Sequence, residues 1–291
     1  MRIGFYCPLI GAKFLKSLHM TPVDLRAIEF ANVNYNSCQF GSNTCCLIRS
    51  IASFISGNRI IDGIILTNCC PEQEQLADTL SNSNIKVYMI NIPRKFNEDS
   101  IKYLFDQIKN IGQQIGNGIN GIFDLNTYLH SLIEERIIFQ PNPDFLPVYV
   151  SGISIPLWFE SLLNTNKLGA VIRRKCNQMS ISDLETASNI SPENLDLNEI
   201  SRYFSCMRDI SPEAEIISLK KDINTYSPVA SIFVSMEFCT TSSYYYMKYR
   251  EQFQIENIPV FKITISDWSK PTANVVNQIE TIAQMCWGKR S

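Results

Sequence analysis

Residues 60–92 read IIDGIILTNCCPEQEQLADTLSNSNIKVYMINI, and this stretch decides the fold class. Its first eight residues are rich in isoleucine and are interrupted only by one Asp-Gly pair, which is typical of a strand buried in a parallel sheet. Pro71 suits the first position of a helix over residues 72–80, and residues 85–92 form the next strand. A strand, a helix and a second strand in this order predict a right-handed βαβ unit.

Strands alternate with helices on both sides of this unit, and one Pro-rich stretch divides the alternation. Residues 140–143, Gln-Pro-Asn-Pro, give the clearest linker signal in the chain. We therefore expect an α/β protein with two doubly wound parallel-sheet domains: an N-terminal domain with a helical connection at 1–139 and a C-terminal domain at 144–291. Further strands are predicted at 2–6, 146–151, 169–173, 230–238 and 259–265, and further helices at 43–56, 100–115, 122–138, 158–163, 195–207, 211–222, 242–253 and 273–286.

Composition places the chain among globular proteins and disfavours two classes of partner. Hydrophobic residues make up 45% of the 291 residues and charged residues 19%, and the formal net charge is −2. This balance provides no basic excess for binding nucleic acid. The apolar runs are far shorter than the roughly 20 residues that span a bilayer. Because lysines directly follow the short apolar segment 1–12, we expect a cytoplasmic protein rather than a secreted or membrane protein.

Cysteine is the residue type that narrows the function, since five of the ten cysteines lie between Cys38 and Cys70. Adjacent cysteines rarely bond each other, so the vicinal pairs at 45–46 and 69–70 do not suggest a disulfide framework. Zinc is a weaker choice, because the sequence has no Cys-x-x-Cys and only two histidines. Iron–sulfur clusters need thiolates alone. Isolated cysteines such as Cys286 are expected to pack as small apolar residues.

The cysteines fall where open parallel sheets bind ligands, beyond the carboxyl ends of their strands. Cys69 and Cys70 follow the isoleucine-rich strand, and Cys239 follows a predicted strand of the C-terminal domain. Cys45 and Cys46 lie at a predicted helix start, where the helix dipole favours thiolates and an anionic cluster. These five cysteines are expected to converge on an interdomain cleft that holds an iron–sulfur cluster.

Other catalytic motifs give little signal. No Gly-x-Gly-x-x-Gly or Walker-type loop follows a predicted strand, so nucleotide binding by this chain is not expected. His19 and His130 have no acid–base partner nearby in the sequence. The sequence therefore assigns chemistry to cysteines and names no catalytic residue.

Three segments carry a family resemblance through their cysteines. Residues 45–50 read CCLIRS, residues 62–70 read DGIILTNCC, and residues 233–239 read FVSMEFC, with Ile-Pro at 258–259 and QIET at 278–281. In order and spacing these resemble the three ligand motifs and the C-terminal tail of the 2-hydroxyacyl-CoA dehydratase family. That family includes benzoyl-CoA reductase subunits and double-cubane cluster proteins. The resemblance covers residues 1 to about 285.

The resemblance implies a cofactor and a partner. In that family three cysteines per subunit hold a 4Fe-4S cluster, and a separate ATP-hydrolysing iron–sulfur activator protein supplies low-potential electrons. By resemblance the three are Cys45, Cys70 and Cys239. Pro71 and Thr240 stand where the family often has aspartate. These differences weaken the prediction of an acyl-CoA substrate more than they weaken the prediction of a cluster.

The vicinal pairs favour the double-cubane branch, whose pattern needs six thiolates for an 8Fe-9S cluster. This branch implies an ATP-dependent low-potential reductase of small molecules, which we expect to be a homodimer. Two alternatives stay open: a dehydratase or acyl-CoA reductase subunit with one 4Fe-4S cluster, and a non-catalytic electron carrier or cluster-assembly protein. The implied ligands are Cys45, Cys46, Cys69, Cys70, Cys239 and Cys38, with Cys7 as the alternative sixth ligand.

Overall fold

The computed structural model describes residues 1–6, 12–25, 40–41, 43–58, 60–68, 70–93, 98–115, 144–152, 155–174 and 212–288. Over these residues the chain is an α/β protein with two four-stranded, all-parallel sheets flanked by helices, which confirms the predicted class. Several predicted features lie outside the described residues, namely the linker 140–143, the helices 122–138 and 195–207, and Cys7, Cys38 and Cys69.

The elements of the described residues follow one another as alternating strands and helices. In chain order they are β1 (Arg2–Phe5), α1 (Ala12–Ser17), β2 (Thr21–Asp24), α2 (Cys46–Asn58), β3 (Gly63–Thr67), α3 (Pro71–Ser81), β4 (Lys86–Ile90), α4 (Glu98–Ile115), β5 (Leu146–Gly152), α5 (Leu157–Thr165), β6 (Leu168–Arg174), α6 (Pro212–Tyr226), β7 (Ala230–Met236), α7 (Thr240–Ile255), β8 (Val260–Ile265) and α8 (Ala273–Gly288).

The chain divides into two compact units, each built around one sheet. The first unit comprises Met1–Leu25, Asn58–Ile137 and Met179–Ser211, and the second comprises Arg26–Gly57, Ile138–Gln178 and Pro212–Ser291. Helix α2 precedes β3 in the sequence, yet nearly all of it belongs to the second unit.

The first sheet has the strand order β2-β1-β3-β4. All five residues of β3 are buried, as the isoleucine-rich run predicts for a strand covered on both faces. Gly63 in β3 lies opposite Lys86 in β4. Its missing side chain leaves room for the ring of Tyr88, which would lie 3.2 Å from a Cβ at that position. The first unit therefore centres on a short, apolar and closely packed strand.

The second sheet has the strand order β6-β5-β7-β8, which repeats the order of the first. Tyr149 on β5 and Phe233 on β7 pack against α7, with ring centroids 5.2 Å from Phe253 and 5.7 Å from Tyr249 respectively. These contacts place aromatic rings between the sheet and the helix. Gly152 ends β5 opposite Val234, whose carbonyl oxygen would lie 2.5 Å from a Cβ at position 152. The carboxyl ends of β5 and β7 therefore approach closely because residue 152 is glycine.

The structure differs from the predicted elements in a few places. Strand β2 and helix α1 were not predicted, because Thr21-Pro-Val-Asp24 is short and contains proline and aspartate, which are rare in strands. The strand predicted at 230–238 ends at Met236, and Phe238 has a left-handed φ of 60°. Among the described residues, no helix is both long enough and apolar enough to cross a membrane.

Candidate functional site

Both units place a cysteine at the same point of their topology. In each sheet the third strand of the unit lies centrally, and a cysteine follows its carboxyl end as the N-cap of the next helix. Cys70 occupies this position between β3 and α3, and Cys239 occupies it between β7 and α7. Both residues are half-buried, with extended backbone conformations. Both cysteines therefore follow the carboxyl ends of their strands, the edge at which open parallel sheets generally bind ligands.

The strand order makes this edge a switch point in each sheet. In each sheet the second strand of the unit lies on one side of the first strand, and the third strand lies on its other side. In doubly wound sheets, ligands bind in the crevice beyond the carboxyl ends of the two strands that flank such a reversal. Cys70 follows one of the two strands that flank the reversal in the first unit, and Cys239 does so in the second.

Side-chain hydrogen bonds fix the connection that carries Cys70. The side-chain oxygen of Gln73 accepts hydrogen bonds from the amide and the hydroxyl of Thr67, at 3.0 and 3.1 Å. Both residues are buried. The side-chain oxygen of Asn68 accepts a hydrogen bond of 2.8 Å from the amide of Ile92, just beyond β4. These bonds tie the end of β3 to the first turn of α3 and to the residue pair that follows β4.

Backbone geometry fixes the connection that carries Cys239. The amide of Glu237 donates to the carbonyl of Ile265 at 2.9 Å, and the amide of Cys239 donates to the carbonyl of Met236 at 3.1 Å. Phe238, between them, has the left-handed φ and is 46% exposed. The tight turn reverses the chain directly after β7 and brings Cys239 to the start of α7.

The vicinal pair Cys45 and Cys46 lies against the same edge of the second sheet. The Sγ atom of Cys45 is 3.6 Å from the Sδ atom of Met236, the last residue of β7. The Cys46 thiol donates to the carbonyl of Ile265, the last residue of β8, at 3.4 Å. Cys45 is 5% exposed and Cys46 is fully buried. Cys45, just before α2, and Cys46, its first residue, thus place two thiols at the carboxyl ends of two adjacent strands.

Burial and the neighbouring thiol determine the protonation of this pair. Hydrogen bonding with the Cys46 thiol, followed by burial, raises the pKa of Cys45 well above its ordinary value. The amides of Leu47 and Ile48, in the first turn of α2, act in the opposite direction. The hydrogen bond with Cys46 and the burial outweigh the effect of the amides, so Cys45 is a neutral thiol at pH 7. A metal that binds it must displace a proton, and that cost reduces the net affinity.

The sequence-predicted ligands separate into three groups. Cys45, Cys46 and Cys239 belong to the second unit, and Cys70 belongs to the first. Cys38 and Cys69 lie outside the described residues. Within the described ranges, no three His, Cys, Asp or Glu side chains are grouped closely enough to hold a metal ion. Thiols are the donor groups that an iron–sulfur cluster needs, and the convergence of these cysteines stays a prediction.

Two buried serine hydroxyls lie at the same edge of the second sheet. Ser151 is the penultimate residue of β5, and Ser242 is the third residue of α7. Both are fully buried, or nearly so, and neither hydroxyl has a hydrogen-bond partner among the described residues. A buried hydroxyl without a partner is energetically costly, so such groups mark positions where a water or a ligand atom is accommodated.

Met236 is the residue that sequence reasoning missed. It occupies a buried position in an apolar strand, where methionine is ordinary packing material. A separation of 191 residues lies between it and Cys45. Its position three residues before Cys239, within a cysteine motif, is the one local signal that it lies near the thiols.

Comparison with known proteins does not assign a function to the chain. No protein-family model matches the chain, and no curated protein is significantly similar to it in sequence. The similarity of its cysteine motifs to the dehydratase family therefore stays a prediction. Any function has to be argued from the thiols, their strands and the groups around them.

Proposed function

We propose that this protein is an iron–sulfur protein that reduces small molecules at low potential, with electrons from a separate ATP-hydrolysing activator. One observation carries the proposal. Each of two units with the same strand order places a cysteine, Cys70 or Cys239, directly after its central third strand. A packing role explains one such cysteine easily, but it does not explain the repetition at two ligand-binding edges.

The proposed cofactor is a double-cubane cluster held by six thiolates. The proposal requires the two units to present their cysteines to one interdomain cleft. When bound, such a cluster supplies electrons of low potential to a substrate that approaches it. The proposed ligands are Cys45, Cys46, Cys69, Cys70, Cys239 and Cys38, with Cys7 as the alternative to Cys38.

The chain's own residues have supporting roles in this proposal. Gln73 and Thr67 hold the Cys70 connection in place, and the amides of the first turn of α2 lower the cost of ionising Cys45. Helix N-termini also stabilise the negative charge of a thiolate-bound cluster. The hydroxyls of Ser151 and Ser242 offer hydrogen bonds at the edge of the second sheet, where a small polar substrate would need them.

A second candidate is a dehydratase or acyl-CoA reductase subunit with one 4Fe-4S cluster. The burial of Cys46 and its hydrogen bond to Ile265 favour this candidate, because they give the thiol a structural role without a metal. In that case Cys45, Cys70 and Cys239 are the ligands and Cys46 is not one.

Iron analysis of cysteine variants tests the cluster and separates the two candidates. Anaerobically purified protein is expected to be brown and to contain several irons per chain, whereas Cys70→Ser and Cys239→Ser should lose most of the iron. Cys46→Ser and Cys69→Ser lower the iron content if the cluster is a double cubane and leave it unchanged if it is a single one. Cys286→Ser is the matched control, since Cys286 is buried in α8 and is not a proposed ligand.

Colourless wild-type protein that contains stoichiometric zinc and no iron under these conditions contradicts the proposal. The proposal also includes a homodimer. Light scattering of the iron-loaded protein should then give twice the chain mass of 33.2 kDa.

A further inference from the structure

A thiol and a thioether meet where the start of α2 reaches the end of β7, and a second buried thiol follows in the chain. The Sγ atom of Cys45 lies 3.6 Å from the Sδ atom of Met236, and the next residue, Cys46, donates its thiol to the carbonyl of Ile265 at the end of the adjacent strand β8. The three residues are between 0% and 6% exposed. A thiol and a thioether thus lie together at a buried position, with a second buried thiol one residue along the chain.

The donor set indicates a particular class of metal ion. Thiolate and thioether sulfur select soft ions such as Cu(I), whereas Mg²⁺, Ca²⁺ and Mn²⁺ prefer oxygen ligands. A thioether is not a ligand that zinc usually takes in proteins. Met236 therefore distinguishes this group from an ordinary cysteine pair.

The separation of the Cys45 and Met236 sulfur atoms is close to what one shared ion requires. Metal–sulfur bonds of about 2.3 Å in a trigonal arrangement place the sulfurs roughly 4 Å apart. The separation of 3.6 Å between Cys45 and Met236 therefore has to open by only a few tenths of an ångström.

We propose that Cys45, Cys46 and Met236 bind one Cu(I) ion when the protein carries no iron–sulfur cluster. Each cysteine that coordinates the ion releases its proton, and the oxidation state of the metal does not change. This site goes beyond the proposed function, because it uses the thioether of Met236, whereas both proposed sets of cluster ligands consist of cysteines alone. The two cofactors would compete for Cys45 and Cys46.

Competition for Cu(I) tests the site. The full chain, freed of iron and kept reduced without oxygen, is titrated with Cu(I) in the presence of a chromophoric Cu(I) chelator. We expect one Cu(I) per chain, and Cys45→Ser should abolish this binding. Met236→Leu, which keeps the volume, should weaken binding at least about tenfold, because loss of a direct ligand should cost no less than loss of a group that only supports one.

Two controls separate this site from the proposed cluster. Met20→Leu alters another buried methionine and should leave Cu(I) affinity unchanged. Cys239→Ser should also retain Cu(I), although it should lose iron. Equal Cu(I) affinity of Met236→Leu and the wild type overturns the inference, as does failure of the wild type to take Cu(I) from the chelator or loss of Cu(I) binding in Cys239→Ser. An iron-free wild type overturns the proposed function instead, whatever the Cu(I) titration gives.

Discussion

The two units share a strand order but assemble their thiols in different ways. In the first unit, Cys70 lies on the connection between β3 and α3. In the second unit, Cys239 lies on the equivalent connection, and the vicinal pair comes from α2, almost two hundred residues earlier. Among the described residues, the first unit thus takes its thiol from a local connection, whereas the second unit also receives thiols from a distant part of the chain. The same topology can therefore bring thiols to its carboxyl edge by two independent routes.

The units also stabilise this edge differently. Side-chain hydrogen bonds from Gln73 hold the connection of the first unit, whereas a close approach of strands at Gly152 and a left-handed turn at Phe238 shape the second. The first arrangement is sensitive to the loss of polar groups, and the second is sensitive to added volume. Matched substitutions in the two units test this difference.

Gly152→Ala should have the largest effect on stability. The new Cβ would lie 2.5 Å from a backbone oxygen of Val234, which cannot turn away as a side chain can. We expect a loss of about 3 kcal/mol in the free energy of unfolding, the upper part of the range for overpacking. Gly4→Ala is the control on the first strand of the other unit, where the nearest atoms are side-chain methyl groups at 3.1 and 3.2 Å. It should cost at most about 1 kcal/mol.

Urea denaturation measures both variants. Equal losses for Gly152→Ala and Gly4→Ala would show that the close approach of β5 and β7 has no special cost, and the contrast between the units would fail.

Gln73→Leu should have the next largest effect. Without the glutamine oxygen, the buried amide and hydroxyl of Thr67 lose their acceptor, which should cost about 2 kcal/mol. Gln107→Leu removes similar bonds to the backbone of Asn91 at an exposed position, and water can replace them. It should change stability by no more than about 0.5 kcal/mol. Thermal unfolding checks both, and similar melting temperatures for the two variants would contradict a special role for Gln73.

Tyr149→Phe should have a moderate effect in the second unit. The hydroxyl of Tyr149 donates to a carboxylate oxygen of Asp222 at 3.1 Å, and both residues are buried. Loss of a buried hydrogen bond to a carboxylate should cost about 1.5 kcal/mol. Tyr246→Phe, at a half-buried position of α7, should stay within about 0.5 kcal/mol of the wild type. Guanidinium denaturation distinguishes the two, and equal midpoints would show that this hydrogen bond adds nothing.

Tyr88→Phe in the first unit should have the smallest effect, and only at alkaline pH. Burial raises the pKa of Tyr88, so the unfolded chain ionises this phenol at a lower pH than the native protein does. The native state therefore loses stability as pH rises above about 10, the value for a tyrosine in water, and no such loss occurs below it. Tyr88→Phe should reduce the loss of unfolding free energy at alkaline pH and leave the pH dependence of stability near pH 7 unchanged. Unfolding curves measured from pH 7 to above about pH 10 check this prediction. It is contradicted if the free energy of unfolding of Tyr88→Phe falls with alkaline pH as steeply as that of the wild type.

Local patterns were sufficient for the elements that carry Cys70 and Cys239. The run of isoleucines and the proline at position 71 act over a few residues, so the end of β3 and the start of α3 follow from the sequence. The same holds for β7 and α7, although the left-handed turn at Phe238 shortened the strand. That turn escapes prediction because phenylalanine rarely adopts a positive φ.

Sequence by itself therefore determined the α/β class, the alternation of elements and the positions of cysteines at strand ends and helix starts. These depend on hydrophobic period, proline and helix-start preferences, which act between near neighbours. Only the tertiary structure decided that α2 belongs with the second sheet, and that Cys45 meets Met236 there. Such contacts depend on which buried surfaces fit together across the folded chain, and no local pattern contains that information.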